Sequence, residues 1–231
     1  MTKATTQKPW YITVWKVATV ALLLYVFLMA LLADVPRLPI LNETIRALNF
    51  HVPMWFGMII IFTISMVHSW RYLKSNNPIH DRKATAYVTT GVIYGVLGFV
   101  TGMVWAQYAW GSYFNGDPKQ LTSLICMLIY FAYLILRSAI PDGDSRARVS
   151  AVFNIFAFAL MIPLLFIIPR MTDSLHPGNG GNPGFNAYDL DSKLKAVFYP
   201  AIIAWTSLGI WITSVNIRLQ KVQLELEDLD S

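Results

Sequence analysis

The sequence predicts an all-α, polytopic membrane protein, a bundle of six transmembrane helices with an external aromatic loop, and three observations carry this prediction. Hydrophobic residues make up 55% of the 231 residues, and the mean hydropathy is +0.48. Charged residues make up only 13%, against about 25% in an average soluble domain. The charges also leave six apolar stretches near the roughly 20 residues that a helix needs to cross a bilayer. We expect spans at about 11–33, 52–70, 84–107, 121–136, 149–169 and 196–217, in one membrane domain covering 1–231.

The first span has a short uncharged run, from Val17 to Ala33, and it ends in the small residues of MALLADV. Such an ending resembles the cleavage region of a signal peptide. Tyr11 to Trp15 extend the apolar run, however, and Lys16 can direct its ammonium group to the membrane surface. We therefore expect a membrane-spanning helix rather than a cleaved leader.

An aromatic stretch, WAQYAWGSYFNGDPKQLTSL, follows the third span, and we assign an external loop to residues 105–121. Connecting loops are usually rich in Gly, Pro, Asn, Asp and Ser, and Trp and Tyr also form belts where spans meet the membrane surface. A belt does not explain this density of aromatic residues. The aromatic side chains are Trp105, Tyr108, Trp110, Tyr113 and Phe114.

The end of this stretch predicts the start of the fourth helix. Asp117 fits the N-cap of this helix, and Pro118 fits its first position. Gln120 fits the third position of a capping box. Asp117 is therefore interpreted as a helix cap rather than a catalytic acid.

The last two spans enclose a long loop, 170–195, that contains His176 and the glycine-rich segment PGNGGNPGFN. Four glycines and two prolines in residues 177–186 predict low local stability. One hypothesis is that this segment moves His176 on and off a ligand.

The distribution of Lys and Arg predicts that both termini are cytoplasmic, because cytoplasmic segments carry the excess of these residues. With that orientation, twelve of the 18 basic residues lie inside and six outside, and the aromatic loop is external. The net charge of +5 is then explained by topology and anionic lipid, and it gives no case for nucleic-acid binding.

Several classes of function are disfavoured. The uncharged spans count against an ion-coupled pump, which needs ionisable groups in the membrane. The sequence shows no phosphate-binding glycine motif and no set of nucleophile, base and acid, so we expect no enzyme. Cys126 is the single cysteine, which excludes disulfide chemistry within the chain.

Four histidines divide between the two membrane faces: His68 and His80 inside, His51 and His176 outside. Taken alone, His51 fits a helix-end histidine that bonds backbone or water. Two histidines on one face beside an aromatic loop are more informative, because imidazole is a common ligand of heme iron and aromatic rings suit the porphyrin.

Residues 110–125, WGSYFNGDPKQLTSLI, resemble the tryptophan-rich signature WGxYWGWDPKE of the CcmC/CcsA heme-handling (WWD-domain) family of cytochrome c maturation. Six spans, HVP at the start of span two and SLHPG in the last outer loop resemble heme exporter protein C in particular, over nearly the whole chain. Phe114 and Gly116 stand where the signature has tryptophans. A Gly116→Trp change is expected to tighten heme binding or to be neutral.

The resemblance implies that heme b is a transported ligand held at the outer face, with His51 and His176 as axial ligands of the iron. The aromatic faces expected against the ring are Trp105, Trp110, Tyr113 and Phe114. Lys119 would meet the propionates and Asp117 would hold the turn. The implied partners are a periplasmic heme chaperone, a heme-export ABC transporter and a small single-span accessory protein, all at the bacterial inner membrane.

Two alternative functions remain at this point. One is a membrane cytochrome b-type electron-transfer subunit, although such proteins usually hold heme between histidines within the spans. The other is a structural subunit with an interfacial aromatic belt and no bound pigment.

Overall fold

The computed structural model describes residues 11–36, 41–176 and 192–230, and within these ranges the chain is helical with no strand. Six of its helices are long and apolar enough to cross a membrane, which confirms the predicted fold class. They are α1 (Tyr11–Leu32), α2 (His51–Ser75), α3 (Pro78–Trp110), α4 (Pro118–Ala139), α5 (Gly143–Ile162) and α6 (Ser192–Asp230). A 3₁₀ helix, Asn42–Asn49, precedes α2, and α5 continues as a π-helical turn, Pro163–Ile167, and a 3₁₀ turn, Ile168–Arg170.

The helix boundaries follow local sequence signals. Asn77 caps α3 by accepting the Ile79 N–H at 3.0 Å, and Asp142 caps α5 by accepting the Ser145 N–H at 2.8 Å. Asp117 caps α4 by accepting the Lys119 N–H at 2.9 Å, ahead of Pro118. This confirms the predicted cap, and it satisfies one of the orphan donors of the first turn.

The aromatic loop is shorter than predicted. Helix α3 continues through Trp105 and Tyr108 to Trp110, so the non-helical connection is 111–117 rather than 105–121. No Gly or Pro interrupts α3 between 103 and 110, and the helix ends where Gly111 adopts a left-handed φ of 77°, a common helix terminator.

Helix α2 lies at the centre of the bundle and packs against α3, α5 and α6. The main core cluster joins α2, α3, α4 and α5, and its centre is the stacked pair Phe62 and Tyr130, with ring centroids 3.6 Å apart. Gly91 of α3 makes room for this pair, because a Cβ there would lie 2.4 Å from the Phe62 ring.

The bundle has two ends, which we name by their histidines. The His51 end carries the 3₁₀ helix 42–49, the connection 111–117 and residues 171–176; the His68 end carries the connections 76–77 and 140–142. At the His51 end, Arg46 donates to the carbonyls of Ala30 and Ala33, at 2.8 Å each. Arg46 thereby ties the end of α1 to the element that leads into α2.

Candidate functional site

A cavity of about 290 Å³ opens at the His51 end, between the 3₁₀ helix 42–49, the first turns of α2 and α4, the last turns of α3 and the irregular end of α5. Its walls are mainly apolar and aromatic, which is typical of a pocket for an apolar ligand. Four of the predicted site residues line it: His51, Trp105, Lys119 and His176.

His51 is the first residue of α2, and its ring is fixed by the backbone of α3. The Nδ1 atom lies 2.7 Å from the carbonyl oxygen of Gly98, so Nδ1 carries the proton and donates to that oxygen. Gly102 lies one turn further along α3, where a Cβ would come within 2.4 Å of the His51 ring. The missing side chain at Gly102 therefore makes space for the ring, and Nε2 remains as the nitrogen that can bind a metal.

His176 is fixed in the same manner by a carboxylate. Its Nδ1 lies 2.8 Å from Oδ1 of Asp117, and 18% of its side chain is exposed. The backbone N–H of His176 donates to the hydroxyl of Ser174 at 3.1 Å. Nε2 is again the ring nitrogen left for a ligand.

Asp117 has a second role that the sequence analysis missed. Besides capping α4, its carboxylate accepts the Leu175 N–H at 2.7 Å and the Ser174 hydroxyl at 2.9 Å. Burial opposes ionisation, but the hydrogen bond and charge of His176, with the bonds from Leu175 and Ser174, hold the pKa of Asp117 below its usual range. The carboxylate is therefore ionised at neutral pH and binds residues 174–176 to the start of α4.

Two tryptophans enclose the His176 ring. The centroid of Trp110 lies 4.7 Å from that of His176 in an edge-to-face arrangement, and Trp105 lies 5.8 Å away. Trp105 and Trp110 also contact each other at 4.8 Å. Trp105 forms part of the cavity wall, whereas Trp110 braces the histidine from outside the lining.

Tyr113 and Phe114 lie apart from the cavity. They are 54% and 40% exposed and are not part of its lining. Phe114 approaches Phe99, a residue of the cavity lining, with ring centroids 6.4 Å apart. Of the eight predicted site residues, four line the cavity, two contact His176, and these two are not part of the lining.

Two residues in or next to the connection 111–117, Gln120 and Gly116, differ from what the sequence predicts. Gln120 does not bond the Asp117 N–H as a capping box requires; its amide bonds Asn115 N–H and Tyr113 C=O, both at 3.1 Å. Gly116 has a φ of 76°, which a side chain disfavours by about 1–2 kcal/mol. Gly116→Trp is therefore strained, and the expectation that it tightens binding or is neutral is not supported.

Other residues of the site had not been singled out from the sequence. Val52, Trp55, Phe56 and Ile59 line the cavity on the same face of α2 as His51, and their helical spacing from His51 is the signal that would have found them. Leu165, Phe166, Pro169 and Arg170 line it from the end of α5. A π-helical turn is often found at a functional site, but no sequence pattern predicted this one.

The remaining histidines lie at the opposite end, where the Nδ1 atoms of His68 and His80 are 3.1 Å apart. Within residues 11–36, 41–176 and 192–230, no three His, Cys, Asp or Glu side chains converge to hold a bare metal ion. The predicted mobile segment 177–186 lies outside the described residues.

The fold and the cavity define a multi-pass membrane protein with two anchored imidazoles in an aromatic pocket at one end of the bundle. The chain belongs to the heme exporter protein C family, whose model matches residues 2–229. This family serves transport and handling rather than catalysis, and the chain accordingly has a role in heme handling for cytochrome c biogenesis.

Individual relatives agree with this assignment. Heme exporter protein C of Paracoccus denitrificans is 25% identical over 188 residues, covering 80% of this chain and 74% of the relative. Heme exporter protein C of Bradyrhizobium diazoefficiens is 26% identical over 190 residues, covering 81% and 71%. A shorter match, 46% identical over 80 residues, joins 35% of this chain to 26% of cytochrome c biogenesis protein CcsA of a Synechococcus species.

Proposed function

We propose that this chain holds heme in the cavity at the His51 end, where His51 and His176 would bind the iron, and delivers it to a heme chaperone. The observation that carries this proposal is the shared anchoring of the two rings. Nδ1 of His51 donates to a backbone carbonyl, and Nδ1 of His176 donates to a carboxylate. Metal-binding histidines are usually oriented by hydrogen bonds of this kind, which also fix the tautomer that leaves Nε2 for the metal.

The surroundings of the two rings fit the rest of the heme molecule. Heme is a broad apolar plate with two anionic propionates. Trp55, Trp105 and Phe166 supply aromatic wall, and Lys119, in the first turn of α4, supplies a cation. When bound, heme would supply the iron, and the described residues would orient the ring and neutralise its acid edge.

The position of the cavity at one end of the bundle suits the transfer of heme to another protein better than its permanent retention. His51 opens α2, and His176 lies in the connection beyond α5, so both ligands belong to the end of the bundle. A cytochrome b-type electron-transfer subunit would instead hold heme permanently between helix interiors. The partly exposed His176 would be the ligand that a receiving protein replaces.

We also propose where the chain lies, how it is oriented and which proteins act beside it. We place the chain in the bacterial inner membrane with both termini cytoplasmic, so that the His51 end faces the periplasm and the receiving heme chaperone. A heme-export ABC transporter and a small single-span protein would act beside it. In this role the chain binds and passes on heme b without chemical turnover, and so is not an enzyme.

The test is the heme content and visible spectrum of the protein purified in mild detergent. We expect a Soret band in the natural sequence and its loss or a clear shift in His51→Ala and His176→Ala. His68→Ala and His80→Ala are matched controls from the opposite end, and we expect them to keep the natural spectrum. Equal losses in all four variants, or no heme in the natural sequence, would overturn the proposal.

A further inference from the structure

Arg170 ends the irregular segment that follows α5 and lies at the wall of the cavity. The π-helical turn Pro163–Ile167 and the 3₁₀ turn Ile168–Arg170 replace regular helix there. Pro169 is buried against the cavity, and Arg170 follows it as an exposed side chain that contributes to the lining. The change of winding therefore places Arg170 in the wall of a pocket that is mainly apolar and aromatic.

Arg170 differs from Arg137 and Arg46 in its partners. Arg137 forms a two-fold ion pair with Asp81, at 2.8 and 2.7 Å, and Arg46 pairs with Glu43 at 2.8 Å. Within the described part of the chain Arg170 forms no ion pair and no hydrogen bond. The nearby carboxylate of Asp117 is engaged by His176, Ser174 and Leu175. The described residues that line the pocket include no Asp or Glu, so an arginine there is suited to an anion carried by the ligand.

Lys119 supplies a second cation to the same cavity from a different element. It lies in the first turn of α4, whereas Arg170 lies at the end of the α5 segment, and both line the pocket with His51 and His176. Two cations on separate elements match two carboxylates on one edge of a planar ligand. A single cation would not distinguish a dicarboxylate from a monocarboxylate.

We propose that Arg170 is a specificity-determining residue, which binds one carboxylate of the porphyrin while Lys119 binds the other. The pocket would thereby select a metalloporphyrin dicarboxylate and orient its acid edge toward the gap between α4 and the end of α5. This inference rests on the proposed function, because it concerns how the same cavity recognises heme.

The experiment compares two probes, iron protoporphyrin IX and its dimethyl ester, which keeps the iron and the ring but lacks both negative charges. Dissociation constants are measured by absorbance titration of the detergent-purified full chain. We expect the natural sequence to bind the diacid about 100-fold more tightly than the ester, since a hydrogen bond to a charged group contributes about tenfold in affinity.

The variants separate recognition of the acid from general damage to the site. Arg170→Gln should weaken binding of the diacid about tenfold and leave binding of the ester unchanged. Arg170→Lys should keep most of the preference for the diacid over the ester. The double variant Arg170→Gln with Lys119→Gln should bind both probes about equally. Lys193→Gln is the matched control, because Lys193 is exposed at the start of α6 and does not line the cavity.

The failure of this inference is distinct from the failure of the proposed function. If the natural sequence binds heme through His51 and His176 but Arg170→Gln leaves the preference for the diacid intact, Arg170 is not the specificity residue and the heme site stands. An equal loss for the diacid and the ester in Arg170→Gln would also overturn the inference, since it would indicate a structural role. If the natural sequence binds neither probe, both proposals fall.

Discussion

The two histidine pairs of this chain differ in what holds their rings. At the His51 end, each Nδ1 faces an acceptor, Gly98 O at 2.7 Å or Asp117 Oδ1 at 2.8 Å. At the His68 end, the Nδ1 atoms of His68 and His80 face each other at 3.1 Å. The residue type is the same, but the first two rings are fixed by other residues through Nδ1, whereas the Nδ1 atoms of the second two rings contact one another. A candidate metal-binding histidine is therefore identified by the residues that bond its Nδ1 atom, and not by the presence of a histidine alone.

The largest effect on heme binding should come from replacing Asp117, the carboxylate that accepts from His176. Asp117→Asn keeps a good N-cap but removes the negative charge that holds His176. We expect heme affinity to fall about 10- to 100-fold, as for other residues that orient metal ligands, with little change in thermal stability. The measurements are heme titration and thermal unfolding of the same preparation.

Asp142→Asn provides a matched control for that change. Asp142 caps α5 at the His68 end, where it accepts the Ser145 N–H at 2.8 Å. The same substitution at an equivalent cap should leave heme binding unaltered. If the two variants behave alike, the orienting role of Asp117 is wrong and only its capping role remains.

A smaller effect is expected from crowding the other ring. Gly102→Ala adds a Cβ that would lie 2.4 Å from Cε1 of His51, so the ring must shift away from Gly98 O. We expect about a tenfold loss of heme affinity, since ligand orientation commonly contributes at least that much. Absorbance titration measures the loss, and the spectrum reports any change of axial ligand.

Gly143→Ala tests whether adding a methyl group to a helix weakens heme binding wherever it is placed. A Cβ at Gly143 meets only the Arg146 side chain, at 3.9 Å, and Gly143 lies at the start of α5 at the His68 end. We expect unchanged heme binding. A Gly102→Ala variant as tight as this control would show that the His51 ring is not held as closely as the geometry indicates.

The sequence predicts the helices well because their signals are local. Apolar runs of spanning length and short caps such as Asp117-Pro118 are contained in a few neighbouring residues, and the corresponding helices are present in the structure. The continuation of α3 to Trp110 was missed because a cluster of aromatic residues is compatible both with a membrane-surface loop and with a helix end. The left-handed Gly111 decides between them.

The site is less predictable because its contacts are long-range. Asp117 and His176 lie 59 residues apart in the chain, and no spacing rule relates them. Asp117 had a complete local explanation as a cap, which concealed its second role. Arg170 lies at the start of the loop predicted at 170–195, and the turns that bring it to the cavity depend on packing at the end of α5. Resemblance to a family singled out His51 and His176, and tertiary structure supplies what orients them.

The smallest effect, and the sharpest test of how the aromatic residues act, is a comparison of Trp110→Ala with Phe114→Ala. The sequence hypothesis assigns both residues to a platform under the ring. In the structure Trp110 contacts His176 at 4.7 Å, whereas Phe114 is 40% exposed and lies outside the cavity. An edge-to-face aromatic contact contributes about 0.5–1.5 kcal/mol beyond its buried area, so Trp110→Ala should weaken heme binding roughly two- to tenfold. Phe114→Ala should resemble Tyr108→Ala, a control residue that is 77% exposed. Equal losses for Trp110→Ala and Phe114→Ala, with Tyr108→Ala unaffected, would favour the platform and show that the 111–117 connection closes over heme when it binds.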